Sequence, residues 1–449
     1  MHVTGIIAEY NPLHLGHQYH IKQTKALTGA DFIITVLSGD FVQRGLPAII
    51  DKHTRARMAL EAGSDLVLEL PVPYALSSAE GFGFGGVSLL HGLGCVDTLS
   101  FGSESGDLAG LMQLAQVLST ESEAYRQAYQ TALKQGLSHP AARLQAVQAC
   151  YPDLDASLLD GHSNNMLALE YCKALYRLQS AIKPVTVRRR GQGYLDTFAA
   201  EDFTNADQTT TTGHVTNTGH AAVHAANVTD VKSNPLFASA TAIRNILCQT
   251  NNIHAYSPDT PDVLHSLLPA HVENSLRAAQ LEHALLFADD FSSLLHYKLL
   301  SLSRTALCDY WEVTPELANK IANKLPEFDC FTQFTDLLWT KDLTYARVCR
   351  CLIHILLDIK NDTRDVHQPV PYARVLGFRR EAAPLLSAIK AHSSLPLITK
   401  IADAGKLLNP ETYSLLSMDL KAAHIYDSVM QHKSGRKCIH EARKQIVII

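Results

Sequence analysis

IIAEYNPLHLGHQYH, residues 6–20, decides how the rest of the chain is read. It joins a short β-branched run to a turn carrying Asn11 and Pro12, then sets His14, Gly16 and His17 in succession. A buried strand handing over to a helix has this form, and the first turn of such a helix carries unpaired N–H groups that favour an anion. His14 and His17 fall on one side of that turn, so two imidazoles beside those amides can hold the charge that builds on nucleotide phosphates during displacement at phosphorus. Gly16 leaves the backbone open to a base or ribose. Two histidines near a helix start can equally be polar capping groups. Their place after the first strand of a βαβ series, where open parallel sheets bind ligands, favours the phosphate reading.

The flanking sequence supports that series. Residues 3–8 read as strand one and His14–Leu27 as the first helix; Asp31–Leu37 is a second buried-strand run, followed by a glycine-bounded loop and a helix starting near Asp51. Asp65–Leu70 is strand three, Ser77–Leu93 a helix despite its glycines, and Val96–Phe101 strand four, ending in Gly102-Ser103-Glu104. Strands alternating with helices at this spacing predict a Rossmann-like, doubly wound parallel sheet of the α/β class. Helical pattern then runs from Asp107 to about Leu178, with Asn164-Asn165 opening its last stretch, and Lys183–Arg190 reads as a late strand.

Residues 200–232, rich in Thr, Asn, His and Ala, have no apolar period and are expected to be a mobile surface insertion. His214, His220 and His224 lie there without Cys or carboxylate partners at ligand spacing, so no metal site is expected. Order returns at Ala238-Ser239-Ala240-Thr241-Ala242-Ile243-Arg244, where small hydroxylated residues precede a helix with an arginine one turn in. Such a segment is either an ordinary N-cap with a surface arginine or a phosphate clamp of Oγ groups, amides and a guanidinium.

Beyond Asn251 apolar residues recur at three- and four-residue steps, as in Phe287, Phe291, Leu294, Leu295, Leu299 and Leu302, or Val348, Leu352, Ile355, Leu356 and Ile359. These stripes are read as helical core. The expected division is a catalytic domain over 1–250 and a mainly helical domain over 251–449, in keeping with a length large for one core. Basic residues of the second part, among them Arg347, Arg350, Arg374, Lys433, Arg436, Lys437, Arg443 and Lys444, are a solvated face or, if the partner is RNA, backbone contacts.

Composition narrows the class. A net charge of −5 carries no global basic signal, so nucleic-acid binding has to come from a local patch. The start of the chain has no basic n-region, and there is no uninterrupted apolar run long enough to span a bilayer; neither a signal peptide nor a membrane partner is expected. Nine scattered cysteines with no C-x-x-C are expected to be reduced thiols in a cytoplasmic protein.

The first motif resembles the H-x-G-H signature of the nucleotidyltransferase superfamily, and S-A-T-A-I-R resembles the ISSTxxR-like element such enzymes carry late in the same domain. Taken with SGDFVQRGLPAIIDKHTRARMAL from Ser38, FGSE from Phe101, NNMLALEY from Asn164, R-x-G-x-G-Y from Arg189 and YARVLGF from Tyr372, the chain is similar to the bacterial tRNA(Met) cytidine acetate ligase family. These blocks occur in the family's order over most of the chain. Asp40 stands where the family pattern has Asn, His162-Ser163 stand where proline is expected, and 200–232 looks like extra sequence.

The resemblance implies ATP-dependent acetylation of the exocyclic N4 of the wobble cytidine of elongator tRNA(Met), with acetate as acetyl source. It implies catalytic roles for His14, His17, Ser239, Thr241 and Arg244. ATP contacts carry over to Ile7, Ala8, Glu9, Tyr10, Asn11, Pro12, Leu13, His14, Leu15, Gly16, His17, Gln18, Tyr19 and His20, and to Gly102, Asn164, Asn165 and Arg189. Magnesium is expected to accompany ATP without a protein-held ion. For RNA, the local candidates are Gln43, Arg44, Lys52 and Arg55 near the site, with Arg379 and Arg380 in the helical part. The chemistry is consistent with these residue types. The cytosine amine is a weak nucleophile and free acetate a poor acyl donor, so attack of acetate on the α-phosphate, giving acetyl-AMP and pyrophosphate, would precede transfer to the amine. Two other readings stay open: an adenylyltransferase acting on a small phosphorylated acceptor, and an RNA-binding module that has kept a nucleotide fold.

Overall fold

The computed structural model describes residues 1–159, 163–189, 238–251, 263–341, 343–363 and 365–449. The expected insertion at 200–232, with His214, His220 and His224, and residues 190–194 of the R-x-G-x-G-Y block lie outside the described residues.

Strand β1 (Val3–Ala8) leads to helix α1 (Leu15–Thr28), β2 (Phe32–Ser38) through a short hairpin to α2 (Lys52–Glu61), and β3 (Leu66–Leu70) to α3 (Ala79–Gly92). Strand β4 (Thr98–Ser103) is followed by α4 (Leu108–Thr120) and further helices ending in α5 (Ser163–Arg177), then β5 (Lys183–Arg188) and α6 (Ala240–Asn251). These five strands lie parallel in the order β3-β2-β1-β4-β5. The order reverses between β1 and β4, and a doubly wound sheet opens its ligand crevice at the carboxyl ends flanking such a reversal.

Both faces of the sheet are covered, which is why its strands read as continuous apolar runs rather than alternating ones. One face packs Val36, Leu68 and Phe101 against helices that include α3, α4 and α5; the other packs Ile6, Ile33 and Val67 against α1, α2 and α6. The glycines of α3 have a packing reason. A Cβ on Gly86 would lie 2.6 Å from Ile7 Cδ1, and one on Gly5 of β1 would lie 2.5 Å from Leu90 Cδ1, so the helix sits closer to the central strand than side chains would allow.

The described residues from 263 onward are mainly helical, and their core around Phe291, Phe331, Phe334 and, on α7 (Tyr345–Leu357), Leu352 also takes in Phe41, Val72 and Leu76 from the earlier part of the chain. This part is not purely helical. Strand β6 (Ala373–Phe378) pairs antiparallel with β3, β7 (Leu397–Ile398) joins β6, the long helix α8 (Pro410–Ser434) follows, and β8 (Val447–Ile448) closes that edge. Residues on both sides of position 250 therefore share one sheet.

Buried charges cross the same seam. Arg374 of β6 donates to Glu69 of β3 and to Glu441, and Lys52 of α2 reaches Glu69 at 2.7 Å and Glu441 at 3.1 Å. Burial pushes the Glu441 carboxyl up, but Lys52, His53 and Arg374 outweigh it and hold the group ionised. Mutual pairing of this kind is what makes buried charge tolerable.

Candidate active site

The turn after β1 is built from buried side chains. Tyr10, Asn11, Pro12 and Leu13 all lie in the interior, Asn11 Oδ1 accepts from the Ile49 amide at 2.8 Å, and the Asn11–Pro12 peptide is cis. These residues shape the turn. Ile7 and Ala8 end β1, while Leu15, Gly16 and Gln18 form the first turn of α1.

His14 is the N-cap of α1, so the capping and phosphate readings of the two histidines are not exclusive. The Gly16 amide donates to His14 Nδ1 at 3.0 Å, and the His14 amide donates to His17 Nδ1 at 3.3 Å. Because each Nδ1 accepts from a backbone N–H, a neutral ring carries its proton on Nε2. The two rings stack at 3.7 Å, so the reciprocal cap leaves a pair of Nε2–H donors side by side at a helix N-terminus. Burial pushes His14 down to about 3, with the nearby Arg189 and Arg244 charges adding to the effect. Burial, His14 and Arg189 carry His17 well below the ordinary histidine range. His20, whose Nε2 lies 3.1 Å from Ser100 Oγ of β4, falls to about 4 through burial and Arg189. At neutral pH all three rings are uncharged, in a field made positive by two arginines.

Arg244 comes from α6, more than two hundred residues later. Its Nη1 donates to the Asn11 carbonyl at 2.6 Å and its Nη2 to Thr241 Oγ1 at 3.0 Å, which brings the S-A-T-A-I-R segment onto the His14–His17 turn. Ser239 is buried and its Oγ accepts from the Ala242 amide at 3.2 Å, so it caps α6. Ser239 is thus a cap of α6, and Arg244 is not a loose surface arginine.

The opposite wall is formed by β4, β5 and α5. Both Glu104 oxygens are committed: Oε1 accepts from Asn164 Nδ2 at 2.6 Å and Oε2 from the Asn165 amide at 2.7 Å. Asn165 Oδ1 returns the contact by accepting from the Glu104 and Ser105 amides. Asn164 Oδ1 then accepts from Arg189 Nη1 at 3.0 Å, which aims the guanidinium. A Cβ at Gly102 would meet Arg189 only at ordinary contact distance, so the glycine is not demanded by packing and leaves room for a ligand. Beside this wall a groove of about 510 Å³ is lined by Tyr19, Gln23, Thr186, Arg188 and Arg189. Imidazole Nε2–H donors, helix amides and two guanidinium groups suit the anionic oxygens of a nucleoside triphosphate.

Two of the residues expected to meet RNA cannot do so. Lys52 and Arg55 are buried, Lys52 against Glu69, Glu441 and Asp40, Arg55 against backbone carbonyls. A long basic side chain enters the interior when partners there replace water, and those partners come from distant parts of the chain. Asp40, standing where the family pattern has Asn, accepts from the Lys52 amide at 2.9 Å and lies 3.4 Å from its ammonium. Gln43 donates its amide to Glu9 Oε1 at 2.9 Å and its Nε2 to the Ser77 carbonyl, so the hairpin bearing Gln43 and half-buried Arg44 borders the crevice.

Arg379 and Arg380 follow the end of β6, which runs antiparallel to β3 and finishes opposite Leu66, at the amino ends of the parallel strands and so away from the crevice. The other basic candidates are mostly ion-paired: Arg350 with Glu312, Arg374 with Glu69 and Glu441, Lys433 with Asp290, Arg436 with Glu282 and Lys444 with Asp427. Sequence reasoning passed over Glu104. Its signal was a carboxylate just past the end of β4, paired with Asn164 and Asn165 at the start of α5 some sixty residues later, a pairing that only the fold brings into contact.

Comparison with known proteins agrees with this geometry. The family model for HIGH nucleotidyl transferases matches residues 1–218 and 219–441. A tRNA(Met) cytidine acetate ligase of Clostridium perfringens is 36% identical over 434 residues, covering 95% of each chain, and one of Clostridium acetobutylicum is 34% identical over 458 residues, covering 100% of each. The crystal structure of Thermotoga maritima TmcAL bound with alpha-thio ATP superposes on all of both chains with a TM-score of 0.84 at 25% identity. A doubly wound sheet with stacked histidines at its switch point, matched end to end at this level of identity, belongs to the HIGH nucleotidyl transferases and, among them, to the tRNA(Met) cytidine acetate ligase family.

Proposed function

We propose that this enzyme joins acetate to the N4 amine of the wobble cytidine of elongator tRNA(Met) at the expense of ATP, through an acetyl-adenylate. The observation that carries the proposal is the convergence of His14, His17 and Arg244 on one turn at the crevice of the sheet. ATP would lie with its phosphates against the Nε2–H edges of the two imidazoles and the amides of α1, flanked by Arg244 and Arg189. Acetate attacks the α-phosphorus, pyrophosphate leaves, and the charge that accumulates on the phosphate oxygens meets donors already in place. The cytidine amine then attacks the acyl carbon and AMP departs. No protein nucleophile is needed in either step.

Magnesium is taken to arrive with the triphosphate. Residues 1–250 would supply adenylate chemistry and 251–449 would hold the tRNA, with the Gln43–Arg44 hairpin as the RNA contact nearest the crevice. A target base reaches such a pocket unstacked from its loop. Among the described residues no helix is long and apolar enough to cross a membrane, and a reaction that consumes ATP and acts on tRNA is, in this reading, a cytoplasmic one. The test is incubation with ATP, labelled acetate and total tRNA, followed by nucleoside analysis. Label in N4-acetylcytidine of tRNA(Met) is the expected result; label-free nucleosides from an enzyme shown to bind ATP would remove the proposal.

A further inference from the structure

Arg55 is the most deeply buried cation near the site, with no exposed surface. None of its hydrogen bonds goes to a carboxylate. Nε donates to the Ile50 carbonyl at 3.0 Å, Nη1 to the carbonyls of Glu9 at 2.7 Å and Ser38 at 3.0 Å, and Nη2 to that of Gly39. One side chain thus ties together the turn after β1, the end of β2 and the segment entering α2.

The Asp40, Asp51 and Glu9 charges act on the guanidinium but offset only part of its desolvation, no carboxylate bonds it directly, and a contact serving stability alone could be replaced by an apolar side chain. What a planar fork supplies instead is direction, since its donors leave in fixed orientations toward several acceptors at once. The turn it reaches needs fixing. Tyr10, between Glu9 and Asn11, has φ of 46°, a left-handed conformation that a bulky residue adopts only when its surroundings impose it. Arg55 holds the carbonyl before Tyr10 and Arg244 holds the carbonyl after it, while the Ile49 amide fixes the Asn11 side chain. Three residues later comes His14, whose ring and amides form the phosphate-facing end of α1.

We propose that Arg55 is a positioning residue for ATP: by fixing the Glu9 carbonyl against the end of β2 it sets where His14, His17 and the first amides of α1 stand relative to the phosphates. The inference rests on the ATP-binding reading above. Arg55 touches no substrate, and its effect travels through the turn.

The test compares the wild-type chain with Arg55→Lys and Arg55→Gln, measuring ATP binding by titration calorimetry and, in acetate-dependent ATP–pyrophosphate exchange, the KM for ATP and for acetate. Folding of each variant is followed by circular dichroism. Positioning predicts that the folded variants bind ATP about 10- to 100-fold more weakly, the scale on which a small misplacement of binding groups acts, while the KM for acetate at saturating ATP stays within about twofold. Lysine keeps the charge but cannot reach acceptors on three segments, so it should not rescue. A merely structural role would lower the number of binding sites and leave the dissociation constant alone. Wild-type ATP affinity in Arg55→Lys would overturn the proposal, as would failure of both variants to fold, which would make Arg55 a requirement of folding. A wild-type chain that binds no ATP would remove the ATP reading itself, and that result is seen before any variant is made.

Discussion

Arg244 donates a 2.6 Å hydrogen bond to the carbonyl oxygen of Asn11, joining residues that stand 233 positions apart and closing the His14–His17 turn from the side of α6. If that bond also holds the guanidinium where the α-phosphate charge develops, Arg244→Lys should lower acetate-dependent pyrophosphate exchange by about 10²-fold, the usual loss when one positioned donor is removed. Exchange at the wild-type rate would place Arg244 outside the chemistry.

His14 has two duties that a substitution can separate. Asparagine is a good N-cap, so His14→Asn should keep the helix start and melt close to wild type, while losing the Nε2–H donor and about 10²–10³ in adenylate formation. Thermal melts beside single-turnover assays check both halves. A variant that melts far below wild type would mean the ring matters first to the fold.

Glu104 accepts from Asn164 and Asn165 and so sets the wall that aims Arg189. Glu104→Gln removes one accepting oxygen and puts an NH2 group against N–H donors, a mismatch that should weaken ATP binding by roughly tenfold. Calorimetry with ATP reads this directly, and unchanged affinity would detach the wall from the nucleotide.

Acid should destabilise the free enzyme through its buried histidines. His14 is pushed down to about 3 and His20 to about 4, so between those values and the ordinary histidine value near 6.5 the unfolded chain binds more protons than the folded one. Stability is then full above pH 6.5 and falls as pH drops through that window, by about 2 kcal/mol between pH 7 and 5 for His14 alone. Bound ATP brings negative charge and should raise these values, so its stabilising effect should grow toward pH 5.5. Melts at pH 7.5 and 5.5 with and without ATP measure both trends; an ATP effect that shrinks in acid would contradict the placement of the phosphates.

Lys52 gives the opposite kind of prediction. Lys52→Met leaves Glu69 and Glu441 partly unpaired in the interior and should cost roughly 3–5 kcal/mol of stability, yet RNA affinity per folded molecule should not change. Filter binding corrected for folded fraction tests it, and a loss of affinity would restore Lys52 to an RNA-facing surface.

Why these cations were misread explains what a sequence can carry. The strand-to-helix step at Ile6–His20 is local, written in a change of period and a turn, and it emerges as β1 and α1 within a residue or so of expectation. The helix KHTRARMALE looks like a wet basic face because its neutralising partners, Glu69 and Glu441, are 17 and 389 residues further on. The same distance hid the return of Ala373–Phe378 to the sheet, a strand set among helices whose antiparallel partner is β3. Arg244 was singled out only because its segment resembles a known element; nothing near it in the chain points to Asn11. Local chemistry was legible, and contacts between distant segments were legible only where resemblance supplied them.

The central claim is that the two stacked histidines and Arg244 activate acetate with ATP, and the most direct measurement is ATP–pyrophosphate exchange without tRNA, supplied either with acetate or with a phosphomonoester. Exchange is expected to require acetate and to disappear in His17→Ala. Exchange that proceeds with the phosphomonoester and ignores acetate would contradict that claim and favour an adenylyltransferase of a different kind.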